Sequence, residues 1–180
     1  MNQIRLLTLL TLLAFPALSE AESSPVDTVS KFYSDYLAYS HQEMPNGPRP
    51  KMEFSRDFSS VVNHSNVTCK KVADYPCGWG ADGDEYLDSQ EIDPILTYQN
   101  SGIVVSETTP GIVNVKLNVY PSIKNAGNYY LKSITYKMVQ ESGRWVVDDV
   151  IYTDGKSTKQ VLAEEAKNAE RLYNEEHSNQ

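Results

Sequence analysis

The feature that most constrains how this chain can fold is a change of apolar period near residue 102. Upstream, apolar side chains recur at helical spacing. Val29, Phe32, Tyr33, Tyr36 and Leu37 fall at offsets of 3, 4, 7 and 8, one stripe of an amphipathic helix. Ser24-Pro25-Val26-Asp27 supplies its start, with a capping serine, a proline in the first turn and an acid three residues on. The Pro/Gly run at 45–50 predicts a stop near His41 to Met44. Phe54, Phe58, Val61 and Val62 make a weaker second stripe that fades in the polar run 63–66. Downstream the period is two, and strands are predicted over 102–107, 112–120, 129–141 and 144–152, separated by turn residues. A last helix is expected over 157–176, with Leu162, Ala166, Ala169 and Tyr173 at offsets 4, 7 and 11. This order predicts an α+β domain in which N-terminal helices pack on a curved antiparallel sheet of about four strands, followed by a C-terminal helix.

The first 21 residues combine a positive start at Arg5, an apolar run from Leu6 to Ala14 and a small-residue exit, the pattern of a secretory signal peptide. The run is far shorter than the roughly 20 residues of a membrane span, so cleavage after Ala21 is expected. The remaining chain then reads as one α+β domain over 22–156 with a helix and tail over 157–180, soluble, periplasmic and without a membrane anchor. The formal net charge of −8 disfavours nucleic acid and anionic lipid and favours a basic protein partner. Two cysteines in an exported chain, Cys69 and Cys77, predict one disulfide.

Beyond Cys77 lies a run with six acids between 82 and 93: Asp82, Asp84, Glu85, Asp88, Glu91 and Asp93. The spacing of Asp82, Asp84, Asp88 and Asp93 invites a calcium loop, but the EF-hand template fails, with Tyr86 and Leu87 at its fifth and sixth positions. Asp82, Asp84, Glu85, Asp88, Gln90 and Glu91 are instead the expected partner-binding residues. The histidines, His41, His64 and His177, have no zinc spacing, and no serine sits in a nucleophile-elbow pattern. No catalytic residue, metal or cofactor is expected.

Three segments carry a resemblance: the FYSDYL helix at 32–37, Asp84 to Gln90, and Gly143-Arg-Trp-Val-Val-Asp-Asp-Val-Ile-Tyr-Thr-Asp-Gly155 followed by a helix. Together they resemble a bacterial family of exported proteins of unknown function, with the cone-shaped, cystatin-like fold of nuclear transport factor two and ketosteroid isomerase. The chain departs from the family where Glu85-Tyr86 replace its Asp-Pro-Phe. The resemblance implies a cone cavity, to which Tyr36, Tyr136 and Trp145 would contribute. Isomerases of this fold hold a carboxylate base in an apolar cavity. Strict alternation along RWVVDDVIY puts Asp149 on one face with Trp145, Val147 and Ile151, so Asp149 is the candidate for such a base. The alternative for it is a buried carboxylate bonded to a helix end or a tyrosine. The leading expectation is a non-enzymatic periplasmic binding protein, possibly an immunity or inhibitor protein; the competing one is a ligand-binding or isomerase-like enzyme built around Asp149.

Overall fold

A computed structural model describes residues 23–40, 47–72, 75–124 and 130–178. The expected leader, its cleavage site and the predicted stop of the first helix at 41–44 lie outside the described residues. The elements are α1 (Pro25–Ser40), α2 (Arg56–Cys69), β1 (Val104–Thr109), β2 (Ile112–Asn118), β3 (Leu131–Glu141), β4 (Arg144–Ile151) and α3 (Thr158–Ser178). The fold is α+β, as the change of period predicts.

The start of α1 is a closed capping box. Ser24 Oγ accepts from Asp27 N at 3.0 Å, and the Asp27 carboxylate accepts from Ser24 Oγ and N. Ser55 caps α2, its Oγ accepting from Phe58 N. The expectation that α2 fades after Val62 is incorrect, because the helix runs on to Cys69. Its last turns pack along α3 through small side chains: Ser65 and Thr68 are buried, and Cys69 joins Val72 and Ala169 in a small second core. A stripe of small polar residues at a close helix contact carries no apolar periodicity.

The four strands form an antiparallel meander in the order β1-β2-β3-β4. One face is buried. Val113, Val115 and Leu117 of β2, Ile134, Tyr136 and Met138 of β3, and Val147 and Val150 of β4 form the core with Val29, Tyr33 and Leu37 of α1. Each such aliphatic side chain removed from water contributes about 1.5–3 kcal/mol before chain entropy is counted. The other face mixes polar residues with Val104, Leu131, Val139 and Val146, and there Thr135 Oγ1 donates to Asn114 Oδ1 at 2.6 Å.

The ladder between β3 and β4 is interrupted. Lys137 faces Asp149, but Met138 faces Val147, so Asp148 is an extra residue in a bulge. This corrects the expected alternation. Trp145 and Val147 share the core face with Val150, whereas Asp149 stands on the opposite face with Lys137. The outer edge of β4 is covered beside the bulge: Ser55 N donates to Val147 O and Val147 N to Glu53 O, at 2.8 and 2.9 Å.

Candidate functional site

The acidic loop of residues 78–93 is built by anchors that reach it from every layer of the fold. A disulfide between Cys69 and Cys77, with Cα atoms 5.6 Å apart, ties its entry to the end of α2. A disulfide is compatible with an exported protein. The next two backbone N–H groups are then placed by side chains: Gly78 N donates to Glu165 Oε2 of α3 and Trp79 N to Asn66 Oδ1 of α2, both at 2.9 Å. The Trp79 ring meets Phe54 and Phe58 edge-on at 5.4 and 5.5 Å.

Tyrosine hydroxyls hold the middle of the loop. Tyr33 donates to Tyr86 O at 2.7 Å and Tyr152 to Glu85 O at 2.8 Å, while Tyr36 donates to the Asp84 carboxylate. Because the Tyr33 proton is committed to Tyr86 O, the 2.8 Å contact between the Tyr33 and Tyr136 hydroxyls fixes Tyr136 as its donor. Burial raises the pKa of Tyr33, Tyr36, Tyr136 and Tyr152 well above the ordinary tyrosine range and pushes Tyr86 up to about 12. All five therefore stay neutral donors at physiological pH.

Asp84 organises the turn itself. Its Oδ1 accepts from Tyr86 N and Leu87 N at 3.0 and 3.1 Å, and its Oδ2 faces Tyr36 and Arg49. The guanidinium of Arg49 lies 3.3 Å from both Asp84 and Glu85 and stacks over the Tyr36 and Tyr86 rings at 5.2 and 5.8 Å. Asp84 N donates to Ser89 O at 2.7 Å, which draws the two arms together at Gly83. There φ is 146°, and a Cβ would stand 2.6 Å from Ser89 O, so only glycine fits.

The loop forms one wall of a cleft of about 370 Å³, and the stretch from Tyr152 into α3 forms the other. Asp82, Asp84, Glu85, Asp88, Asp154 and Glu165 line it, with Lys156 as the single lining cation. Arg49 neutralises Asp84 and Glu85 from behind, whereas Asp82 has no ion pair among the described residues and Asp88 has only Lys132 at 3.9 Å. Of the predicted partner-binding set, Asp84 and Glu85 thus spend their charge inside the loop, 10% and 13% exposed as side chains. Asp82, Asp88 and Gln90 face the cleft, and exposed Glu91 accepts from the Tyr120 hydroxyl at 3.0 Å. Sequence reasoning missed Arg49, Asp154, Lys156, Thr158 and Glu165. No local pattern marks them, because long-range folding alone brings them beside the loop.

The calcium reading of the same aspartates does not fit their geometry. Asp93, 2% exposed, staples two loops by accepting from Ile95 N and Ser122 N at 3.1 and 2.8 Å. Among the described residues no three histidines, cysteines or carboxylates are placed to hold a metal ion.

The proposed cavity residues do not come together around an opening. Tyr36 and Tyr136 are each 1% exposed and fill the core. Trp145 lines a different cleft, of about 580 Å³, with Phe32, Met52 and Met138. Asp149 is on the far face of the sheet with all its acceptor positions in use. Its Oδ1 takes Val150 N and Lys159 N, and its Oδ2 takes Ser157 Oγ at 2.7 Å and Lys137 Nζ at 3.3 Å. That is the carboxylate at a helix end, here the start of α3, which was the alternative for this residue. Asp148 bonds Ser55 Oγ and Lys159; desolvation opposes its ionisation, but those two bonds and the Lys159 charge leave its pKa below the ordinary carboxylate value. His64 lies 3.8 Å from Glu170 and His177 bonds Tyr173 O, neither at the cleft, and His41 lies outside the described residues. Among the described residues no helix is long and apolar enough to cross a membrane. Comparison of the chain with protein-family models, with curated proteins and with solved structures finds no match in any of the three.

Proposed function

We propose that this is a non-enzymatic binding protein of the periplasm, of the immunity or inhibitor kind, whose acidic cleft receives a basic protein. The observation that carries the reading is the cleft itself: six lining carboxylates whose charge Lys156, Arg49 and Lys132 offset only in part, on a wall braced by bonds within the fold. A wall already held by a disulfide, three tyrosine hydroxyls and Arg49 loses little further entropy when it is bound. The charge steers a basic partner and sets its orientation. An isomerase-like reading around Asp149 has less support, since that carboxylate is committed to the start of α3. The family resemblance found no counterpart among the proteins compared, so the reading rests on the cleft.

The test is capture from periplasmic extract by the intact protein and by an Asp82→Asn, Asp88→Asn, Glu91→Gln variant, with the captured protein identified and then titrated in purified form. A basic protein whose affinity falls with salt and with the amide variant is expected. Capture unchanged by that variant overturns the proposal.

A further inference from the structure

The second cleft, of about 580 Å³, differs from the acidic one in both floor and charge. Its floor is apolar: Phe32 of α1, Met52 of the segment before α2, Met138 of β3 and Trp145 of β4 face it. Phe32 is packed among three tyrosines, stacked on Tyr36 with ring centres 5.2 Å apart and set against Tyr33 and Tyr86 at 5.4 and 4.6 Å. The segment that carries Met52 is tied to β4 by the two bonds that Val147 makes with Glu53 and Ser55. A floor braced in this way has little ordering left to lose when a ligand enters.

The rim inverts the charge balance of the chain. Acids outnumber lysine and arginine by 24 to 16 over the whole sequence, whereas Lys31, Lys51 and Arg144 line this cleft against Asp35 and Glu53. Both acids are already paired on the rim, Asp35 with Lys31 and Glu53 with Arg144, each at 2.7 Å. Lys51 has no ion pair or hydrogen bond among the described residues, so its ammonium is the charge left over. A neutral apolar molecule would use the floor alone, and a cation would be repelled by Lys51. An anionic group on an apolar body uses both. The floor favours a ring over an acyl chain, because Phe32 and Trp145 offer aromatic surface and the Met52 and Met138 sulfurs make favourable contacts with ring edges.

We infer that this cleft binds a small aromatic carboxylate, its ring against Trp145 and its carboxylate accepting from Lys51 Nζ. The volume lies within the roughly 300–1,000 Å³ of small-ligand pockets. The site is separate from the acidic cleft and does not depend on a basic protein partner.

The experiment titrates the full mature chain, ¹⁵N-labelled, with 2-naphthoate, with 2-naphthamide, which keeps the ring without the charge, and with octanoate, which keeps the charge without the ring. The chain has two tryptophans, so the Trp145 indole N–H reports on this cleft and that of Trp79 on the acidic one. A saturable shift of the Trp145 indole is expected with 2-naphthoate, with 2-naphthamide and octanoate each binding about fivefold more weakly or worse. Lys51→Gln should weaken 2-naphthoate about fivefold, the upper range for an exposed ion pair, and Lys51→Arg should retain the affinity. Lys167→Gln, which removes the same charge from the exposed side of α3, should leave it unchanged. Equal binding of the acid and the amide, or equal loss in Lys51→Gln and Lys167→Gln, overturns the contact with Lys51. Octanoate binding as tightly as 2-naphthoate overturns the aromatic class. No saturable shift at Trp145, or a shift confined to Trp79, overturns the site itself and leaves the acidic-cleft reading standing.

Discussion

Replacing Tyr33 with phenylalanine should cost far more than making the same change at Tyr136, although the two hydroxyls touch each other and both are buried. The reason is the direction of the protons. Tyr136 donates to Tyr33, and Tyr33 donates to Tyr86 O, at 2.8 and 2.7 Å. Tyr136→Phe removes one donor and leaves one lone pair of the Tyr33 oxygen unfilled, a loss of about 1 kcal/mol. Tyr33→Phe strands two groups, the Tyr86 carbonyl and the Tyr136 hydroxyl. At roughly 1–3 kcal/mol for each unsatisfied buried group, its cost is about 2–6 kcal/mol. The double variant has no stranded hydroxyl, so it should be no less stable than Tyr33→Phe alone, a coupling of about 1–2 kcal/mol. Urea unfolding of the four proteins, with the disulfide oxidised throughout, measures all three quantities. Equal costs for the two single changes, or costs that simply add, would refute the relay.

Three further outcomes follow from the same structure. Tyr33 and Tyr136 have folded pKa values raised by burial above the unfolded value near 10. Their stabilisation is complete below pH 10 and is lost progressively as pH rises toward the folded values. Tyrosinate absorbance should therefore rise in step with loss of the far-ultraviolet circular dichroism signal, and smooth ionisation of every tyrosine in an intact fold would contradict the burial of the network. Asp149→Asn should destabilise by about 1–3 kcal/mol and speed amide exchange in the first turn of α3; unchanged exchange there would argue against a helix-end role. Reducing the disulfide, whose cysteines are eight positions apart, should lower stability by about 2.5 kcal/mol on the chain-entropy model, and an unaltered urea midpoint under reductant would count against it.

The strands were legible because Val113, Val115 and Leu117 alternate with polar residues on a sheet with one buried face. Their ends and the bulge were not. Alternation assumes an unbroken ladder, and the extra residue at Asp148 is set by the Glu53–Ser55 segment against β4 and by Lys159, contacts that no periodicity encodes. The acidic loop could be found from composition alone, as could the abundance of tyrosine. What each acid does could not, since Asp84 and Asp93 differ from Asp82 only in which backbone N–H groups the fold brings to them. The second wall of the cleft, around Asp154 and Glu165, lies some seventy residues downstream and is joined to the loop only by tertiary packing.

The tyrosine anchors of the loop also determine when it forms. Their contacts span 48, 53 and 67 residues, whereas the disulfide spans eight. Closing the short ring needs only local motion, but placing Glu85 and Tyr86 requires α1 and the end of β4 to be in position first. A chain that has folded only in part can hold its cysteine ring and yet present no ordered acidic surface. On the proposed function, recognition by a partner would report on completed folding, and a destabilised variant would lose its ordered acidic surface before it loses its helices.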